Sequence, residues 1–296
     1  MLCPFPRAPI PPLGRPVLVT RSGREALERI LVYLKPRPRD EIWITTTLNA
    51  RGLHVSPCVT ATVARYCRFG FAPAPRTVAA LVIHDYGMPH PHLAAIRDQC
   101  RRHGWPLIED AAHAFASTDA TGQRLGTLGD FALFSLPKYF ALSRGGLAVG
   151  LTGSAAGSED TAVAAQFDAV LPMVGDIAAA RRHNWLLLDS LLGKLGHHSD
   201  LPLTPGSVPM VYALHAPRQF ALLSRLRRAG IESGPAVHCN RLLLPCHQCL
   251  KSEDVHRIAR VIGSADAGER SASWPPLYLT PGPRSHAWRA GLTNLR

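Results

Sequence analysis

Residues 107–146 set a carboxylate, a hydroxyl and an amine at the ends of apolar runs. Asp110 closes the segment that begins with the apolar run 105–108, and Ser135 closes the run 131–134. Lys138 follows three residues after Ser135, and Gly145-Gly146 ends the stretch. A buried acid, an anion-binding hydroxyl and an amine are the protein groups that pyridoxal 5'-phosphate chemistry needs. The acid keeps a ring nitrogen protonated. The amine bonds the aldehyde carbon. The hydroxyl joins backbone N–H groups around the phosphate.

Such groups work only if neighbouring strands deliver them to one place. Two apolar runs that end in Asp110 and Ser135 read as buried strands of one open sheet. Ligands of such sheets bind beyond the carboxyl ends of the strands. Around them the chain alternates strand-like and helix-like segments. Residues 16–20, 41–46, 78–84 and the segment from Leu107 read as strands, and 24–35, 55–69 and 92–103 as helices. Gly104 stops the last of these helices. The alternation predicts an α/β fold with a mainly parallel sheet.

A Gly/Ser/Ala-rich break at 153–160 precedes a mostly helical stretch, 162–192, interrupted at Pro172. A Pro-rich linker at 201–208 opens a second unit. It contains strand 210–214, helix 217–229, strand-like 231–237 and helix 252–262. These features predict a large domain over residues 13–200 and a small α+β domain over 201–265. The ends, 1–12 and 266–296, carry weak patterning.

From Asp110 to Gly146 the chain resembles the DegT/StrS family of sugar aminotransferases, pyridoxal-phosphate enzymes of the aspartate aminotransferase fold. The family's acidic strand end with Ala-Ala/Gln-Ala is here Asp110-Ala111-Ala112-His113-Ala114. Its Gly-x-x-x-Gly-x-x-Gly-Asp segment is 122–130, followed by Ser135, Lys138 and Gly145-Gly146. More loosely, Ser22-Gly23-Arg24-Glu25-Ala26-Leu27 is similar to the family's phosphate-binding helix start, and His84-Asp85-Tyr86-Gly87 to its strand-to-turn segment.

The resemblance implies that Asp110 pairs with the pyridine nitrogen and that Lys138 carries the Schiff base and then moves protons. Ser135, Gly23, Arg24 and Glu25 would form the phosphate end. His113 would stand near the ring hydroxyl, and His54 would take the place of an aromatic side chain over the ring. Relatives that dehydrate sugars carry histidine at the lysine position, so Lys138 favours transamination. The implied reaction moves an amino group from glutamate to a keto sugar, nucleotide-linked, in a cytoplasmic homodimer. The Ser135–Lys138 spacing is shorter than the family's, and Arg24 and Glu25 replace small residues. These departures carry an alternative: a protein of this fold that has lost catalysis and serves as a binding or regulatory partner.

Composition narrows the classes. The chain has 296 residues, 46% hydrophobic and 18% charged, as in a globular protein. Its formal net charge of +12 is spread along the chain, and the arginine pairs Arg101-Arg102, Arg181-Arg182 and Arg227-Arg228 lie far apart. No long basic run or aromatic-interleaved stripe accompanies them. A basic solvated surface therefore ranks first, a phosphorylated substrate second and nucleic acid last. Seven cysteines at irregular spacing, with no apolar leader in 1–12, argue against a disulfide framework. Cys246-His247-Gln248-Cys249 lacks the second pair that a zinc site requires, so no metal is expected. No stretch reads as a membrane span.

Overall fold

The computed structural model describes residues 13–48, 55–152, 159–217, 219–236 and 240–270. His54, Arg218, His238 and Cys239 lie outside these residues. Seven strands form the main sheet: β1 (Val17–Thr20), β2 (Glu41–Thr46), β3 (Arg68–Gly70), β4 (Thr77–Ile83), β5 (Leu107–Asp110), β6 (Phe131–Ser135) and β7 (Gly146–Val149). Their order is β1-β7-β6-β5-β4-β2-β3. β3, β2, β4, β5 and β6 are parallel, and β7 runs antiparallel to both β6 and β1. The carboxyl ends of β1, β2, β4, β5 and β6 therefore share one edge.

The side-chain period of two splits each strand between two cores. Ala80 and Val82 of β4 join Leu107, Ala132, Phe134 and Leu147 on one face. Ala79, Leu81 and Ile83 join Ile108, Phe131, Leu133 and Ala148 on the other. Helices α3 (Leu93–His103) and α4 (Thr161–Val170) cover the first face, through Leu93, Ile96, Cys100, Val163 and Phe167. Helices α1 (Gly23–Leu34) and α2 (Pro57–Val63) cover the second, through Ala26, Leu27, Ile30, Leu31, Val59 and Val63. This double cover explains why β4 reads as a nearly unbroken apolar run.

A third core lies under a smaller antiparallel sheet of β8 (Val211–His215), β10 (Arg241–Pro245) and β9 (Gly234–Ala236), in the order β8-β10-β9. Helices α6 (Gln219–Arg228) and α7 (Ser252–Arg270) close it, together with Trp185, Leu188 and Leu192 of α5 (Val174–Gly193).

The end of α2, the length of α7 and the strands β3, β7 and β10 differ from the sequence expectation. The helix expected over 55–69 stops at Val63, and Arg68–Gly70 instead adds β3 to the edge of β2. The β-branched residues Val59, Thr60, Thr62 and Val63 all lie within the helix that forms, and the chain beyond them leaves it to pair with β2, with Cys67 buried in the core. The last helix runs to Arg270 rather than ending at 262. The helical run Thr161–Gly193 is long and apolar enough to cross a membrane by length and composition, with a mean hydropathy of 1.3 in its most apolar window. Within the fold this run is broken by a 3-10 turn at Leu171–Met173, and its second half packs into the third core.

Candidate active site

Glu109 organises the site from below. It is fully buried, and its carboxylate accepts from Gly126 N–H (2.9 Å), Leu128 N–H (2.7 Å) and Gly129 N–H (2.6 Å). His84 Nε2 lies 3.0 Å from the same carboxylate. Burial raises its affinity for a proton, but His84 and the loop N–H groups outweigh that and hold it below the ordinary value. Arg15 donates to the carbonyls of Gly126, Gly129 and Asp130 on the outer side of the loop. The glycine-rich segment 122–130 is thus clamped from both sides, which fixes where β6 begins.

Above this scaffold the sheet edge opens into a cavity of about 590 Å³, within the span of roughly 300–1,000 Å³ usual for small-molecule sites. Asp110, His113, Ser135, Lys138, Gly23 and Arg24 all line it. Asp110 sits at the end of β5, 4% exposed, with Oδ1 accepting from Ala112 N–H at 3.0 Å. Burial raises its pKa, opposed by the charge of Lys138 and the Ala112 hydrogen bond.

His113 joins the amine to the β4 turn. Its Nε2 lies 2.8 Å from Lys138 Nζ, and its Nδ1 accepts from Tyr86 N–H at 3.2 Å. Burial and the neighbouring lysine hold His113 well below its ordinary pKa. A neutral ring that accepts at Nδ1 carries its proton on Nε2. That N–H faces the lone pair of Lys138 in its free-amine form. Tyr86 stacks on the imidazole at 5.6 Å and 2° and takes a left-handed backbone (φ 54°).

Lys138 is carried by a 3-10 turn, Leu136–Lys138, that starts directly after β6. Pro137 suits such a first turn because it has no N–H to leave unmatched. The short spacing from Ser135 is therefore one tight turn, and it still brings Lys138 into the cavity. Behind it, buried Arg181 donates to the carbonyls of Lys138 (3.0 Å) and Tyr139 (3.2 Å) and to Gln248 Oε1 (2.9 Å). Its guanidinium lies 5.0 Å over the Tyr139 ring.

The opposite end of the cavity is a helix start. Ser22 caps α1, and its Oγ accepts from Glu25 N–H at 3.1 Å. The N–H groups of Gly23 and Arg24 remain as first-turn donors without intrahelical partners. This start presses against β7: a Cβ on Gly146 would lie 2.3 Å from Ser22 C and 2.5 Å from Gly23 N. Glu25 does not line the cavity. Its carboxylate pairs with Arg21 (3.1 Å) and Arg29 (3.0 Å), which turns the negative charge away from an anion. Arg24 faces inward and donates to Cys58 Sγ at 3.0 Å.

The residues therefore fit pyridoxal phosphate. First-turn donors and the Ser135 hydroxyl stand at one end, an acid lies deep at another, and an amine stands between them. Residues 72–154 match the DegT/DnrJ/EryC1/StrS aminotransferase family. The chain is 37% identical over 84 residues to L-glutamine:2-deoxy-scyllo-inosose aminotransferase of Streptoalloteichus tenebrarius, covering 28% of this chain and 19% of the relative. It is also 37% identical over 76 residues to GDP-perosamine synthase of Vibrio cholerae, covering 25% and 20%. The matched segment thus spans about a fifth of the length of these curated relatives.

The fold agrees over a longer stretch. The aminotransferase TlmJ from Streptoalloteichus hindustanus superposes with a TM-score of 0.73 at 22% identity, covering 86% of each chain. A 3-amino-5-hydroxybenzoic acid synthase superposes at 0.72 and 19% identity, covering 85% of this chain and 86% of the other. The chain has the fold of these aminotransferases.

Ser56 and Cys58, which no sequence motif marked, line the cavity too, as do Ser22, Asp85 and Tyr86 from the looser motifs. Asp85 and Tyr86 could have been found from position alone, since they follow the strand that neighbours Asp110. Nothing in the spacing around Cys58 reveals that α2 brings it to Arg24.

Proposed function

We propose that the chain is a pyridoxal-phosphate-dependent aminotransferase that converts a keto sugar, nucleotide-linked, to an amino sugar. The observation that carries this reading is Lys138 Nζ standing 2.8 Å from His113 Nε2 in the cavity that Asp110 closes. The cofactor supplies an aldehyde carbon that bonds amines and a ring that takes up an electron pair. Asp110 binds the proton of the ring nitrogen and favours its cationic form. Lys138 Nζ anchors the cofactor at rest and, once displaced, holds the proton in transit as the general base. His113 orients that amine. Gly23, Arg24 and Ser135 bind the phosphate, and His54 stays the proposed partner for the ring face.

Glutamate is the proposed donor. The name of the S. tenebrarius relative, which gives L-glutamine, makes glutamine the competitor to test beside it. The same reading takes residues 13–200 as the large domain and 201–265 as the small one, in a cytoplasmic homodimer. The test is the visible spectrum of the protein with added pyridoxal phosphate, for wild type and Lys138→Ala. A band at roughly 410–430 nm in wild type alone, bleached by glutamate or glutamine, is the expected result. Identical spectra would remove Lys138 from its role and leave a non-catalytic ligand-binding protein of this fold.

A further inference from the structure

The cavity contains a carboxyl that this chemistry leaves unused. Asp85 follows β4 and is 5% exposed. Its backbone N–H donates to Thr47 Oγ1 at 3.0 Å, which fixes the residue. Its side-chain Oδ2 has no hydrogen-bond partner, although it belongs to the cavity wall with Asp110, His113 and Lys138. The adjacent Thr46 hydroxyl is also unmatched. Ile83 of β4 pairs with Asp110 of β5, and His84 N–H donates to the Asp110 carbonyl at 3.0 Å. Asp85 therefore leaves the sheet beside Asp110, from the same edge.

A buried carboxyl oxygen without a donor is costly. The neighbouring Thr46 hydroxyl can turn to donate, a ligand can supply the hydrogen, or the carboxyl carries one itself. The charged and titratable groups around it are Asp110 from β5, His84 on its own strand, His113 after β5, Lys138 after β6, Arg24 of α1 and Cys58 of α2. Burial, with the Asp110 charge adding to it, raises Asp85 to about 7, against the opposing effects of Leu48 N–H, Thr46 and His84. Neighbouring carboxyls in one dry site do not both ionise readily.

Building on the pyridoxal-phosphate reading, we propose that Asp85 is a second acid of this site. It carries its own proton in the wall that also holds Asp110, so that a bound cationic ring would meet one carboxylate and one neutral carboxylic acid. As pH rises, the Asp85 proton leaves to solvent. The second negative charge then favours protonation of the ring nitrogen and of the nitrogen bonded at Lys138. Asp85 acts here as a positioning residue, through the charge it sets beside Asp110.

Two measurements test this separately. In the protein without cofactor, carboxyl-labelled aspartate followed by carbon NMR should show one group titrating near pH 7. That signal should be lost in Asp85→Asn and Asp85→Ser and should move down in pH in Asp110→Asn. With pyridoxal phosphate bound, the absorption spectrum should show a step near pH 7 in wild type that Asp85→Asn and Asp85→Ser lack. An Asp85 signal in the ordinary carboxylate range, or a spectral step that survives both substitutions, would overturn the second acid and leave the cofactor reading intact. A wild type that titrates as expected but shows no pH step in the cofactor band would overturn the effect of Asp85 on the cofactor, whereas a wild type that forms no band at roughly 410–430 nm would overturn the cofactor reading and leave the Asp85 titration standing.

Discussion

Replacing Glu109 by glutamine should cost more stability than any single substitution on the cavity wall. The carboxylate accepts from three loop N–H groups and faces His84, all out of contact with water. Glutamine keeps the shape but turns an NH₂ group toward N–H donors, so at least one loop donor loses its acceptor. His84 Nδ1 accepts from His90 N–H, so a neutral ring donates from Nε2 to the carboxylate. Hydrogen bonds to a charged acceptor, or a buried donor left unsatisfied, are each worth about 1–3 kcal/mol, against a total of about 5–15 kcal/mol for a typical domain. Linkage gives a second signature. Glu109 lies below its ordinary value of 4.5 in the folded state, so its contribution is present above that pH and is lost as pH falls through the folded value. Urea unfolding followed by tryptophan fluorescence, at pH 7 and at steps below pH 4.5, measures both effects. Glu109→Gln should lose roughly 2–3 kcal/mol at neutral pH and should show a shallower acid limb than wild type. A loss under about 1 kcal/mol, the worth of an ordinary neutral hydrogen bond, with an unchanged acid limb would refute the clamp.

Two further outcomes follow from the phosphate end. Gly146→Ala forces the start of α1 away from β7, because both near contacts are backbone atoms. Overpacking of about 1–3 kcal/mol should lower affinity for pyridoxal phosphate roughly tenfold, read by absorbance titration, whereas Gly193→Ala, which meets nothing within 4 Å, should leave it unchanged. For Cys58, burial raises the thiol, but the hydrogen bonds from Arg24 and with Ser56 outweigh it and bring the group below its ordinary value. Arg24→Gln should therefore slow alkylation of Cys58 by iodoacetamide at neutral pH by roughly threefold or more, read by mass spectrometry; an unchanged rate would show that the guanidinium does not activate the thiol.

Much of this site was legible because strand ends are legible. Apolar runs that end in Asp110 and Ser135 can only be strands of one sheet, and their last residues must emerge on the same edge. The helical stretch with its break at Pro172 was visible for a similar local reason, and the structure places the 3-10 turn Leu171–Met173 there. β3 and β10 were hidden. Arg68–Gly70 is a strand because β2 offers it an edge, and Arg241–Pro245 gains its place between the nearby β9 and the more distant β8. The direction of Glu25 was equally out of reach. Its neighbours Arg21 and Arg29 stand four residues before and after it, on one helix face, and that spacing was the available signal. Asp85 reads in sequence as a polar residue after a strand. Its meaning depends on which strand lies beside it.

Arg181 also ties the order of folding to readiness for chemistry. The turn that carries Lys138 is held from behind by a guanidinium that is itself satisfied by Gln248, more than a hundred residues later in the chain. A chain emerging from the ribosome has made its amine, its acid and the whole main sheet long before it makes that anchor. Until residue 248 arrives, the guanidinium lacks one of its acceptors and the lysine turn lacks its full backing. The backing of the lysine turn therefore depends on a contact made more than a hundred residues after the turn itself, so a lesion near Gln248 is felt at the sheet edge.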